Sequence, residues 1–180
     1  MGNPLWAPWR MEYILAPKDK ARACIFCGLD RGRETSHEEQ RERHVVARTA
    51  HAFVMLNRYP FAAGHLLIVP YAHVETLDAL DPPVYDALFR LVRDAGTRLR
   101  RALRAEGRNG GLNLGAVAGA GIAEHLHVHI VPRWAGDTNF MPVLADSRVV
   151  PQALEETRQH LLPHFADLDS AIPADRPGEP

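Results

Sequence analysis

Three histidines occupy alternate positions in the stretch EHLHVHIVPRW: His125, His127 and His129. The residues between and after them are apolar: Leu126, Val128 and Ile130. Because successive side chains of an extended strand point to opposite faces, the imidazoles share one face and the apolar side chains share the other. The stretch therefore predicts a strand that packs on a hydrophobic core with one face and presents imidazoles on the other.

Alternating imidazoles favour one of two chemistries, and a strand whose histidines simply face water is the third alternative. Neutral imidazoles can converge on zinc, or histidine can act as a nucleophile or an acid–base group near neutral pH. The segment NLGAVAGAG, residues 113–121, lies just upstream and is rich in small residues. Small residues let backbone N–H groups approach an anion closely. Beside a histidine nucleophile this segment favours a phosphate at the reacting centre, where an imidazole can form a covalent phosphoramidate.

The pattern of hydrophobic residues predicts an α+β fold with a largely antiparallel sheet, one long helix and a C-terminal helix. The predicted helices cover residues 31–43, 82 to about 105, and 151 to about 162. Strands are predicted at 44–48, 52–56, 65–70, 112–115 and along the histidine stretch. A chain of 180 residues is typical of one domain with additional arms. We expect an N-terminal aromatic arm at 1–21, a domain at 22–165 and a flexible tail at 166–180.

Charge and cysteine content narrow the partners and the compartment. A formal net charge of −1 argues against strong attraction to nucleic acid, and no apolar run reaches the length of a membrane span. The chain has two cysteines, Cys24 and Cys27, in the sequence CIFC. Two cysteines are too few for a disulfide framework, so the pair predicts a cytoplasmic protein with a metal or redox site.

Three segments, in this order, resemble the histidine triad (HIT) family. Residues 125–131, HLHVHIV, match the family signature of histidines alternating with apolar residues at every position. Residues 57–70, NRYPFAAGHLLIVP, are similar to its nucleotide-binding segment, and CIFC is similar to its optional zinc-binding start. The segments VPRWAGDTNFMPV and LWAPWRMEYI resemble a bacterial subgroup similar to diadenosine tetraphosphate phosphorylases and hydrolases. The resemblance covers roughly residues 22 to 140 and implies the histidine triad fold.

The resemblance implies roles for individual residues. The middle histidine, His127, is the expected nucleophile, and His129 is expected to orient or contact the phosphate. Asn57 corresponds to a ribose-binding residue, with a turn-forming asparagine as the alternative. His65 either contributes to nucleotide binding or is a core histidine that holds the site together, and Asn113 is expected near the phosphates.

One position departs from the family pattern. Many members carry a serine or threonine three or four residues before the triad, whereas this chain has Gly121, Ile122 and Ala123 there. Backbone amides in the segment from Gly119 to Ile122 are therefore expected to bind phosphate instead, with Gly119 and Gly121 as the candidate residues.

The cysteines supply half of a tetrahedral zinc site. In zinc-bearing members of the family, the other ligands are the first triad histidine and a histidine after the preceding strand, which implies His125 and His73 here. The predicted structural site is thus Cys24, Cys27, His73 and His125. His44 is an alternative for one position, and a buried or redox-active cysteine pair is the alternative to zinc.

The resulting hypothesis is a homodimeric enzyme that cleaves a dinucleoside polyphosphate, with diadenosine tetraphosphate as the expected substrate and water or phosphate as the acceptor. A nucleoside phosphoramidate hydrolase using the same histidine is the nearest alternative. A nucleotide-binding protein without catalysis and a hydrolase with three histidines on a catalytic zinc are the others.

Overall fold

The computed structural model describes residues 24–29, 36–137 and 153–169. The predicted N-terminal arm and residues 170–180 of the predicted tail lie outside these ranges. Among the described residues, no helix combines the length and the apolar character that a membrane span requires.

Among the described residues, five strands form one sheet: β1 Val45–Arg48, β2 Ala52–Leu56, β3 Leu66–Pro70, β4 Gly107–Gly111 and β5 Val128–Arg133. Their order across the sheet is β1-β2-β3-β5-β4, and every neighbouring pair is antiparallel. The central strand β3 is the most buried, since every one of its residues is buried. The predicted α+β class with an antiparallel sheet is confirmed.

In the described part of the chain, three α-helices flank this sheet: α1 His37–Glu42, α2 Pro82–Leu103 and α3 Leu154–Asp169. Ser36 caps α1 by accepting a hydrogen bond from the backbone N–H of Glu39 at 3.1 Å. Two prolines begin α2, where their missing N–H groups have no partner to lose. The helix ends at Leu103, and the C-cap residue Arg104 adopts a left-handed conformation with φ of 51°.

The two faces of the sheet have different covers. Helices α2 and α3 bury one face, where Leu126, Val128 and Ile130 join the main hydrophobic core. The short segment 24–29 covers the other face, where Phe26 and Leu29 pack with residues of the central strands. On this second face Phe26 of the CIFC sequence contacts the rings of His125 and His127.

The largest differences from the sequence prediction concern two strands and one helix. The edge strand is β4, with the sequence GRNGG, and residues 112–115 form no strand. Glycines tolerate this position because the ladder with β5 needs only backbone N–H and C=O groups. Strand β5 begins at Val128, so His125 and His127 precede it, and Leu126 donates its N–H to the carbonyl of Val74 at 2.7 Å.

Helix α3 also continues seven residues past its expected end at 162, to Asp169. Residues 166–169, which the sequence assigned to the tail, are therefore helical. The burial of Leu161 and Phe165 in the main core accounts for the extension, because tertiary packing stabilises a helix that sequence periodicity alone leaves short.

Candidate active site and metal centre

A backbone contact sets the tautomer of the His127 imidazole. Its Nδ1 lies 2.8 Å from the carbonyl oxygen of His125. A carbonyl oxygen can only accept, so Nδ1 carries the proton and the lone pair remains on Nε2. Burial lowers the pKa of His127, against the opposing effect of this hydrogen bond and of Glu124. The side chain is 7% exposed and is held as a neutral imidazole with a basic Nε2, the form that a nucleophile requires.

A second chain of contacts sets the tautomer of His129. The backbone N–H of Phe61 donates to Nδ1 of His65 at 3.2 Å, so this nitrogen carries no proton. Burial, with smaller contributions from His129 and His127, lowers the pKa of His65 to about 3. The neutral His65 therefore has its proton on Nε2, which donates to Nδ1 of His129 at 2.9 Å. This leaves the proton of a neutral His129 on Nε2, suited to donate to a phosphate oxygen.

His65 is thus fully buried and links the nucleotide-binding segment to the triad. Its ring stacks on Phe61, with centroids 5.1 Å apart, and the amide nitrogen Nδ2 of Asn57 lies 3.3 Å from its Nδ1. The core role that the sequence allowed for His65 is the one that these contacts support.

Asn57 makes a turn as well as a contact with His65. Its Oδ1 accepts a hydrogen bond from the backbone N–H of Tyr59 at 2.9 Å, as in an Asx turn. The carboxamide retains a second N–H and a second lone pair, because each of these contacts uses only one of two available positions. The turn-forming alternative is therefore observed, and the predicted ribose contact stays compatible with it.

The predicted phosphate loop lies on the surface. Residues 116–118 form a short 3₁₀ turn between Gly115 and Gly119, whose φ values of 81° and 84° are in the left-handed region that favours glycine. Asn113 is half-buried, whereas Gly119 and Gly121 are exposed. Ile122, at the end of the loop, packs beside the cluster that contains Phe26. The loop therefore ends at the histidine face, and its contacts with phosphate stay a prediction.

The four residues predicted to bind zinc come together as a group. Their ligand atoms all lie within 4.8 Å of one another. Nδ1 of His125 is 3.4 Å from Sγ of Cys24 and 3.7 Å from Sγ of Cys27. Nδ1 of His73 is 3.2 Å from Sγ of Cys27 and 3.2 Å from Nδ1 of His125. Tetrahedral zinc, with bonds of about 2.0 Å to nitrogen and 2.3 Å to sulfur, requires ligand separations of roughly 3.3 to 3.8 Å.

The tautomer of His125 also fits a metal ligand. Its Nε2 lies 2.9 Å from the carbonyl oxygen of Pro70, so the proton is on Nε2 and the lone pair of Nδ1 faces the cysteines. Two thiols and two imidazoles in this geometry suit zinc. His44, the alternative ligand, is absent from this group; it lies near Arg58 and the α3 residues Glu155 and Arg158.

The sequence prediction missed Phe26. Its ring centroid lies 5.3 Å from that of His125 and 5.2 Å from that of His127, so it touches a predicted metal ligand and the predicted nucleophile. The only signal in the sequence is a large apolar residue between two cysteines, which is equally typical of a simple core position.

Comparisons with known proteins identify the family of this chain. A family profile described as HIT domain matches residues 38–136. The chain is 39% identical over 163 residues to an AP-4-A phosphorylase of Mycobacterium tuberculosis, covering 90% of this chain and 84% of the relative.

Two solved structures show the same fold. A Zn-bound histidine triad family protein from Mycobacterium smegmatis is 28% identical, with a TM-score of 0.58 over 72% of this chain and 88% of that one. A hypothetical histidine triad nucleotide-binding protein from Sulfolobus tokodaii is 26% identical, with a TM-score of 0.58 over 75% of this chain and 91% of that one.

Proposed function

The chain belongs to the HIT domain family, and from that premise we propose that it cleaves dinucleoside polyphosphates, with diadenosine tetraphosphate as the preferred substrate. The observation that carries the proposal is the state of His127, a neutral imidazole whose lone pair is on Nε2, next to His129 at a centroid distance of 5.0 Å. The similarity to an AP-4-A phosphorylase along most of the chain supports the choice of substrate.

In the first step, Nε2 of His127 attacks the α-phosphorus. A P–N bond forms, the P–O bond to the distal phosphates breaks, and ATP leaves when the substrate is diadenosine tetraphosphate. The nucleotidylated imidazole is cationic, and its Nδ1–H keeps its hydrogen bond to the carbonyl of His125. His129, with its proton directed away from His65, donates to an oxygen of the reacting phosphate or to the leaving oxygen.

In the second step, an acceptor attacks the phosphorus of the adenylyl-histidine and releases His127. Water as acceptor gives AMP, and inorganic phosphate gives ADP. The backbone amides of the loop at Gly119 and Gly121, together with Asn113, bind the phosphate oxygens, and Asn57 binds the ribose.

The metal centre and the assembly complete the proposal. Cys24, Cys27, His73 and His125 hold a structural zinc ion, which when bound supplies a cross-link between the CIFC segment and the body of the domain. Ligation requires reduced thiols, which supports a cytoplasmic location. Strand β4 lies at the edge of the sheet with all five residues exposed, and an open edge of this kind supports pairing with a second copy in a homodimer.

Product analysis tests the proposal and identifies the acceptor. Purified protein incubated with diadenosine tetraphosphate should give AMP and ATP in the absence of phosphate if it is a hydrolase. If it is a phosphorylase, ADP and ATP should form only when phosphate is present. A His127→Ala variant should lose at least about 10³-fold in kcat, whereas His37→Ala, an exposed histidine of α1, serves as the matched control.

The alternatives give different results in the same experiment. Faster turnover of an adenosine phosphoramidate than of the dinucleotide would favour the phosphoramidate hydrolase. Binding of AMP with no turnover of either substrate would favour a nucleotide-binding protein, and His127→Ala at the rate of the unsubstituted protein would eliminate the proposed mechanism.

A further inference from the structure

We propose that Phe26 is a positioning residue for the His127 imidazole, and that the turn from Cys24 to Cys27 holds Phe26 against this ring when its cysteines bind metal. The part of this inference that concerns catalytic rate rests on the proposed function. The part that concerns the geometry of the imidazole does not.

The His127 ring is enclosed by two other rings. The ring centroid of Phe26 lies 5.2 Å from that of His127, with an interplanar angle of 50°. The ring centroid of His129 lies 5.0 Å from that of His127, with an interplanar angle of 64°. Phe26 is 3% exposed, so solvent does not separate it from the imidazole. The terminal torsion of a histidine side chain has a broad, roughly two-fold preference, and a half-turn of the ring would move Nδ1 away from its carbonyl acceptor.

One hydrogen bond is a weak restraint on this torsion. The bond from Nδ1 of His127 to the carbonyl of His125 holds the ring at one atom only, which leaves a population of other ring orientations. A packed aromatic ring narrows that population because any rotated imidazole must displace it. Phe26 therefore keeps Nε2 directed towards the place of the α-phosphorus.

The position of Phe26 depends on the segment that carries it. The turn is closed by a hydrogen bond from the N–H of Cys27 to the carbonyl of Cys24 at 3.1 Å. On either side of Phe26, the two sulfur atoms reach Nδ1 of His125 and of His73. Metal ligation would thus fasten both ends of the turn to residues of the domain, His125 among them, two positions from the nucleophile.

The same segment has anchors that do not involve the side chains of the metal ligands. The guanidinium of Arg43 donates to the carbonyls of Ile25 and Cys27, at 3.2 and 3.1 Å. Leu29 is fully buried, and its carbonyl accepts from Arg48 at 2.8 Å. Because of these contacts, we expect variants without metal to keep the segment docked with a less restricted turn, so that their imidazole geometry can be measured.

The first test is Phe26→Leu, which keeps an apolar side chain and removes the flat ring. We expect kcat for diadenosine tetraphosphate to fall about tenfold while KM changes less than about twofold, since misplacement of a reacting group costs rate more than binding. A two-bond ¹H–¹⁵N spectrum of ¹⁵N-histidine-labelled protein, recorded without substrate, should show pure Nδ1–H tautomer at His127 in the unsubstituted protein and a mixture in the variant.

Leu29→Ala is the matched control, because Leu29 is buried in the same segment and has no ring contact with a histidine. This control should lose stability yet keep kcat and the Nδ1–H tautomer. Zinc content, measured by mass spectrometry, should be the same in both variants and in the parent.

The second test removes the metal by Cys27→Ser and by chelation of the unsubstituted protein. Both should produce the mixed-tautomer spectrum of Phe26→Leu, and Phe26→Leu combined with Cys27→Ser should add little to either. A Phe26→Leu variant that keeps a pure tautomer and the parental kcat overturns the positioning role, as does a loss of zinc in that variant. An unchanged His127 spectrum after metal removal overturns the link to the turn.

The kinetic and spectroscopic measurements distinguish failure of the proposed function from failure of the proposed role of Phe26. If the parent protein turns over no dinucleotide, the proposed function fails, and the tautomer spectra still decide the role of Phe26.

Discussion

The pH dependence of stability provides a sharp test of the contacts around His65. Its side chain is fully buried, and its pKa is lowered to about 3 from an ordinary value of 6.5. In the unfolded chain the imidazole takes up a proton as the pH falls through 6.5, whereas the folded protein keeps it neutral until about pH 3. The free energy of unfolding contributed by this group is therefore fully present above pH 6.5 and is lost progressively between pH 6.5 and 3.

The expected loss at pH 5 follows from these two values. When the pH is lowered from 8 to 5, protonation of this one imidazole stabilises the unfolded state relative to the folded state by about 2 kcal/mol. The result hardly depends on the folded-state value, because pH 5 lies well above a pKa of about 3.

His65→Gln isolates this contribution, because glutamine does not titrate. Its amide can still accept from the N–H of Phe61, and its NH₂ can still donate towards His129. We expect the advantage of the unsubstituted protein over the variant, measured by urea unfolding with circular dichroism, to shrink by about 2 kcal/mol from pH 8 to pH 5. Loss of metal at acid pH affects both proteins and cancels in the difference. A gap of equal size at both pH values would refute the neutral, buried state of His65.

Two further predictions concern the metal site and a glycine. The protein should bind one zinc ion per chain, and at a free zinc concentration 100-fold above Kd the ion should add about 2.7 kcal/mol to the free energy of unfolding. Mass spectrometry should find no zinc in Cys24→Ser and the full zinc content in His44→Asn, since asparagine suits the left-handed φ of 57° at this position. Loss of zinc in His44→Asn would reinstate His44 as a ligand. Gly64→Ala should lower the free energy of unfolding by about 1 to 3 kcal/mol, because φ is 80° and the added methyl would overlap Cδ1 of Leu103. Gly111→Ala is the control, because nothing lies within 4 Å of a methyl group added there, and equal urea midpoints for the two variants would contradict this reasoning.

Much of the fold and of the site is encoded in local pattern. Alternation of apolar and histidine residues predicts which side chains enter the core, and Leu126, Val128 and Ile130 do so. Resemblance to a family predicts the group of two cysteines and two histidines, and the structure brings these four residues together. The edge strand was misplaced because GRNGG has no side-chain pattern that signals a strand, and it pairs through its backbone alone.

The local sequence pattern does not determine the tautomer of each imidazole, that is, which ring nitrogen carries the proton. The carbonyl of Pro70 sets the tautomer of His125, the carbonyl of His125 sets that of His127, and the amide of Phe61 acts through His65 on His129. Nearly every residue has the same backbone groups, so no sequence marks which of them will face a given ring.

The position of Phe26 is also decided by the tertiary structure. Its apolar character is plain from the sequence, yet its contact with His127 exists only because the segment 24–29 folds over the histidine face of the sheet. Residue types decide which chemistry is available to this chain, and the tertiary structure decides which nitrogen atom can perform it, because the proton position of each imidazole depends on the group that the fold places beside the ring.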